Sequence, residues 1–274
     1  MSPLVVAVVL GAAVAHASWN ALLKSGTDRF WWMTALCTVQ GVLSAVVLCA
    51  LPFPAPESWP YVVASAAIHV VYQLLLVRAY SVGEFGQTYP IARGSSPLLV
   101  ALGGLWIAGE TLTLGRTTGI ALVSGGIVAL AFEGRRFALD RVPIALLTGL
   151  SIGLYTVVDA IGARTSGNAV SYIAAMSMLW AITIHIIYLI VRGPRMLASV
   201  RDIVTASVGG IVAFAGYSAV IWATTVAAMG PVSALRETSV VFAAVMGRLF
   251  LGERLSAWRM TACVVIAGGA ALLA

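Results

Sequence analysis

Two arginines in this chain stand inside apolar stretches, and their surroundings occur twice. Arg93 lies in YPIARGSSPLLVALGGLWIAGE (Tyr89 to Glu110) and Arg236 in PVSALRETSVVFAAVMGRLFLGERL. Arg93 and Arg236, Glu110 and Glu253, Arg116 and Arg259, and the pairs Gly125-Gly126 and Gly268-Gly269 all share one offset of 143 residues. A guanidinium within a membrane is costly unless it is paired or faces water. It forms two-pronged hydrogen bonds with carboxylate, phosphate or phosphonate. Both arginines also fall near expected helix N-termini, whose unpaired N–H groups favour an anion. Their matched positions point to a site for an anionic group on a substrate. The structural alternative pairs Arg236 with Glu237 or Asp159 and Arg93 with Glu84, or lets either side chain snorkel to the interface.

Other polar residues extend the pattern. His16, Asn20 and Lys24 stand at i, i+4 and i+8, so they share one helical face, with Trp19 beside it. A polar stripe on an apolar helix reads as the wall of a hydrated cavity; the alternative is an interfacial Lys24 and a Trp19 in the aromatic belt. Histidine titrates near neutral pH and is one route to proton coupling. Asp159, near the end of its helix and close to the repeat position of Asn20, is a second coupling candidate, and Glu237 a third. Tyr72, Tyr80, Tyr89, Tyr155, Tyr217 and Trp222 are candidate cavity aromatics, with packing as the competing role. Glu110 and Glu253 each follow a glycine and precede a helix, which predicts caps on those helices' N-termini.

The elements that must hold these groups follow from composition. Hydrophobic residues make up 61% of the chain and charged residues 9%, against about 25% charged in an ordinary soluble domain. Most segments are apolar all round, which suits lipid. Spans are expected at 3–23, 31–51, 61–80, 87–108, 114–132, 142–161, 169–191, 203–228, 231–250 and 257–274. Proline-rich PFPAPESWP, the bend at Gly83-Glu84-Phe85-Gly86 and the polar run EGRRFALDR separate some of them. The fold expected is all-α and integral to the membrane: ten transmembrane helices in two five-helix repeats, 1–137 and 138–274. Five is odd, so the second repeat enters the membrane inverted. Inverted repeats enclosing a midplane site are the plan of many secondary transporters. Pro90 and Pro97 predict a kink or break in the fourth helix, and Gly115-x3-Gly119 and Gly149-x3-Gly153 predict close helix approach.

The runs HASWNALLK (His16 to Lys24) and YPIARGSSPLL, with GETL and GERL after the fourth and ninth helices, resemble the drug/metabolite transporter superfamily in its ten-helix EamA-type branch. The resemblance covers essentially the whole chain. It implies a central cavity between inverted repeats and alternating access for a small metabolite, in a multi-pass protein of a bacterial cytoplasmic (inner) membrane. The superfamily handles amino acids, nucleotide sugars, phosphorylated sugars and drugs. The YPIARG form is similar to members associated with phosphonate utilisation, and the plastid phosphate translocators are similar in using basic residues on the equivalent helices. The second copy departs from the first, with Glu237 at the place of Gly94 and Val240 at that of Pro97. Export of neutral or aromatic amino acids is the alternative substrate class.

Other classes find little footing. A net charge of +6 resides in short loops, where it sets orientation, and does not call for nucleic acid. Cys37, Cys49 and Cys263 form neither a CxxC pair nor a metal spacing, and no cofactor motif is present. A membrane-embedded enzyme lacks HExxH, GxSxG or an acidic metal cluster. Partners expected are the bilayer, a small-molecule substrate and protons, with the chain as monomer or homodimer. Arginine is concentrated in the odd-numbered loops, so the charge bias places both termini outside, whereas the resemblance implies cytoplasmic termini. A reporter fused after Ala274 decides: the charge bias predicts activity for a reporter that works only outside the cytoplasm.

Overall fold

A computed structural model describes residues 1–25, 28–81, 85–133, 139, 142–194, 198–250 and 255–274, with the side chains of 21–25, 79–81, 85–88 and 250 outside the description. Glu84 and Glu253 therefore lie outside the described residues, as do the side chains of Lys24 and Tyr80. Among the described residues every regular element is helical. The α-helices are α1 (Pro3–Ser25), α2 (Arg29–Ala50), α3 (Trp59–Ser81), α4 (Phe85–Trp106), α5 (Leu114–Ala129), α6 (Val142–Thr165), α7 (Ala169–Arg192), α8 (Val200–Val226), α9 (Met229–Arg236), α10 (Ser239–Phe250) and α11 (Ala257–Leu273). Among the described residues seven helical stretches are long and apolar enough to cross a membrane, and α11 is a shorter apolar helix.

Side-chain oxygens start several of these helices. Asp28 accepts from the backbone N–H groups of Phe30 (3.2 Å) and Trp31 (3.1 Å) at the head of α2. Asn168 does the same for α7, Ser199 for α8, Thr113 for α5 and Ser256 for α11. Each satisfies donors that the first turn leaves without a partner.

The distribution of polarity is inside out. Ile190 is 79% exposed and Val264 71%, whereas Arg93, Arg236, Glu237 and Asp159 are all buried. An outer surface of Val, Leu and Ile suits lipid, and charge is withdrawn to the interior where partners wait.

Helix pairing follows small residues. α2 packs on α7, α5 on α11, α1 on α8, and α3 and α4 on α6. Gly149 and Gly153 of α6 meet Ala92 and Leu99 of α4, as the glycine spacing predicts. Gly115 faces open space and plays no such part; Gly119 does, against Gly269 and Leu273 of α11. Gly126 meets Ile266 and Ala262, so α5 and α11 run antiparallel.

The break expected in the fourth span is absent, and one is found in the ninth instead. α4 is continuous through both Pro90 and Pro97. Proline at 97 offers no N–H to the carbonyl of Arg93, and the hydroxyl of Ser96 donates to that oxygen instead, at 3.2 Å. The break falls in the ninth expected span, which divides into α9 and α10. There the hydroxyl of Thr238 (2.7 Å) and its N–H (3.2 Å) both turn back to the carbonyl of Leu235, and this tighter i→i−3 bonding ends α9.

The α5–α11 crossing is testable. A Cβ at Gly119 would stand 2.9 Å from the carbonyl oxygen of Gly269, whereas Gly125 faces open space. Gly119→Val is expected to destabilise the protein by about 1–3 kcal/mol. Gly125→Ala should leave stability unchanged or raise it by up to about 1 kcal/mol. Thermal unfolding in detergent measures both.

Candidate functional site

α4, α1 and the α9–α10 break bring one polar cluster together. Arg93 projects from α4, and its Nε lies 2.8 Å from Oε2 of Glu237. Arg236, the last residue of α9, donates to the other oxygen: Nε to Oε1 at 3.2 Å and Nη2 to Oε1 at 2.9 Å. Two guanidiniums thus share one fully buried carboxylate. Nη2 of Arg93 also contacts Nε2 of His16 in α1. The side-chain amide nitrogen of Asn20 lies 2.9 Å from that same His16 nitrogen and donates to the His16 carbonyl at 2.9 Å. With donors on two sides, Nε2 serves as an acceptor and the imidazole is neutral. Trp19 sets its ring edge-on to His16 at 5.1 Å, and Tyr89 lies under the Arg93 guanidinium at 5.6 Å. Among the described residues Arg93, Arg236 and Glu237 together carry a formal charge of +1, and the next carboxylate is Asp159, bonded to Tyr217 of the cavity wall.

Beside it lies a cavity of about 80 Å³, room for a few waters or one small polar group. His16, Trp19, Tyr155, Tyr217 and Arg236 all line it. The site residues read from sequence are thus largely gathered in one place. Trp222 is not among them: it lines a separate pocket with Met1, Val5 and Arg116. Arg93 stands behind the lining, reached through Glu237 and His16. Arg93 pairs with Glu237, the partner that the sequence offered to Arg236 alone.

His69, Gln73 and Trp180 also line the cavity, and sequence reasoning passed over them. His69 lies between the rings of Tyr155 (4.0 Å) and Trp180 (4.1 Å), with Tyr217 edge-on at 5.6 Å. A histidine in an apolar run is expensive in lipid, and that signal was present. Behind this wall Asp159 accepts hydrogen bonds from the hydroxyls of Tyr172 (2.9 Å) and Tyr217. Tyr217 therefore links Asp159 to the cavity.

Nine residues beyond Tyr155 along α6, roughly 13 Å at 1.5 Å per residue, Arg164 closes one end. Its Nη2 bonds Oε1 of Glu110 at 2.5 Å, and it donates to the carbonyls of Thr224 (2.8 Å) and Ala227 (3.1 Å) at the end of α8. Glu110 accepts from the N–H of Met229 at 3.0 and 3.2 Å. Glu110 does cap a helix N-terminus, but that of α9 rather than the following α5, whose cap is Thr113. A cation at the end of α8 and an anion at the head of α9 each match the local helix dipole.

Long apolar helices and an aliphatic outer surface mark an integral membrane protein. Residues 142–274 match the EamA-like transporter family. The uncharacterized protein PA1977 of Pseudomonas aeruginosa is 28% identical over 264 residues, covering 93% of this chain and 87% of the relative. A protein of known crystal structure shares the fold, with a TM-score of 0.79 at 20% identity over 98% of this chain and 94% of its own.

The Glu110–Arg164 pair is expected to act as one unit. Glu110→Ala strips partners from Arg164 and the Met229 N–H and should cost about 1.5–3 kcal/mol in unfolding. Arg164→Ala added to it should cost clearly less than its effect alone, because the two changes remove the same bond. A double-mutant cycle on thermal stability checks this; strict additivity would separate the two residues.

Proposed function

We infer that the protein is a secondary transporter moving a small anionic metabolite by alternating access through the cavity beside Arg236. The observation that carries this is one carboxylate shared by two buried guanidiniums, so that among the described residues in direct contact two cations face one anion at the wall of a cavity. A carboxylate, phosphate or phosphonate group on the substrate supplies the missing partner. Arg236 makes the contact, and His16, Trp19, Tyr155 and Tyr217 bound the remaining space.

The architecture proposed is ten spans in two inverted five-helix repeats, 1–137 and 138–274, with α9 and α10 forming one broken span. Support comes from the α5–α11 crossing. Under the 143-residue offset, the contact of Gly119 with Gly269 becomes that of Ala262 with Gly126, and both contacts are present. Helices that are repeat mates and run antiparallel fit halves of opposite orientation. The pairing of α1 with α8 likewise matches that of α6 with α3. Asp159 is the group proposed to carry a proton if transport is proton-coupled, with Tyr217 between it and the cavity. A bacterial relative supports placement in a bacterial inner membrane.

A second reading, export of neutral or aromatic amino acids, is favoured by the rings of Tyr72, Tyr155, Trp180 and Tyr217 around the cavity. Binding decides between the readings. Acetate, benzoate, methylphosphonate, inorganic phosphate, leucine and phenylalanine are titrated into purified protein, alongside liposome flux. Anion recognition predicts that Arg93→Ala and Arg236→Ala each weaken binding at least tenfold, about 1.4 kcal/mol, in folded protein. Unchanged affinity in both variants would leave the arginines as scaffolding.

A further inference from the structure

Glu237 occupies the place where a bound anion is expected. It is fully buried, with one oxygen on Arg93 and the other on Arg236. We propose that Glu237 is a tethered counter-ion: its carboxylate holds Arg236 in the empty carrier and yields that guanidinium to a monoanionic substrate group. The proposal rests on the anion-binding reading above and adds to it a competitor built into the chain.

Three observations converge on it. The first is exposure to the cavity. Arg236 lines it and Arg93 does not, so an incoming anion meets Arg236 and leaves Glu237 its bond to Arg93. The exchange replaces one carboxylate–guanidinium contact by another of the same kind, so little hydrogen-bonding energy is lost.

The second is the backbone beneath Glu237. It stands between the end of α9 at Arg236 and the start of α10 at Ser239, where a small φ/ψ change turns the side chain without moving a whole helix. The repeat position, Gly94, cannot host such a group: a Cβ there would lie 2.9 Å from the carbonyl of Ser124. One half of the molecule alone has room for the counter-ion.

The third is charge. With Glu237 on Arg93 and a monoanion on Arg236, each guanidinium has one carboxylate and these four groups are neutral, Asp159 being held apart from them by the hydroxyls of Tyr172 and Tyr217. A dianion would leave them negative in an apolar setting, at a cost several-fold larger than that of an exposed charge. The substrate group selected is therefore singly charged, a carboxylate or a phosphonate monoester. In the empty carrier Glu237 takes over Arg236, which lets the unloaded cavity close and reopen on the other side.

Glu237→Gln separates this role from that of a brace. The probes are acetate, benzoate, methylphosphonate and inorganic phosphate, each titrated into purified protein. Removing the competitor is expected to tighten binding of the monocarboxylates at least tenfold. In liposomes loaded with the best-bound probe, net efflux should fall at least tenfold relative to one-for-one exchange, because only net efflux needs the empty carrier to return. A brace predicts the opposite: weaker binding, and net efflux and exchange slowed alike. Either result overturns the proposal. If Glu237→Gln does not fold, Glu237→Asp shortens the reach of the competitor, and tighter binding supports the proposal while weaker binding overturns it. Binding to Glu237→Gln alone, with none to wild type, also supports it. If Arg236→Ala binds these anions like wild type, the anion reading itself has failed, whatever Glu237 does. If neither wild type nor Glu237→Gln binds any probe, both fall together.

Discussion

The polar cluster at the junction of α1, α4 and α9 is arranged around one carboxylate shared by two guanidiniums. A lone arginine within a bilayer is expensive, and a buried pair only partly recovers its own desolvation. Three charges of which two oppose the third give each cation a partner but do not sum to zero. Such a cluster is poor as a stabilising device. Three apolar side chains of similar volume would fill the space without the cost of dehydrating an ion. Under the anion-binding proposal, a ligand at the meeting point of α1, α4 and α9 brings the missing charge.

The surrounding structure keeps that cluster dry on one side and reachable on the other. Outward faces are aliphatic, so nothing in lipid competes for the guanidiniums. His16, held as an acceptor by Arg93 and Asn20, spends its lone pair inside the cluster. At the far end of α6, Arg164 and Glu110 join the exit of α4 to the link between α8 and α9. The segment that carries Arg236 and Glu237 is thus pinned at its head by Glu110, and at its tail the bonding tightens from Glu237 N–H on Ser233 to Thr238 N–H on Leu235.

How much of this could be read from sequence depended on the range of each interaction. The repeat, the apolar spans and the depth of both arginines were visible because they are properties of short segments. The pairing of Arg236 with its neighbour Glu237 was visible for the same reason. The bond from Arg93 to Glu237 was not, since it exists only once α4 and α9 pack together. Glu110 shows the limit clearly: its capping chemistry was recognised, but adjacency in sequence pointed to α5 when the packed neighbour is the head of α9. The prolines misled for a local reason. Ser96 supplies a donor that the proline rule does not count, and Thr238 ends a helix that contains no proline at that point. His69, Gln73 and Trp180 have no repeat partners of like type, so a reading built on symmetry passed over them.

The matched contacts between α5 and α11 describe an interface that maps onto itself, the kind that two separate copies of a single five-helix chain form on pairing. A pair of identical copies can carry charges only in even numbers: two arginines with no glutamate, or two arginines with two. A total of three requires that one copy differ from the other, which identical subunits cannot do. Fusion into a single polypeptide removes that restriction. In the inverted-repeat architecture proposed above, a single glutamate at position 237 opposite Gly94 is therefore open to a covalently joined pair and closed to a homodimer.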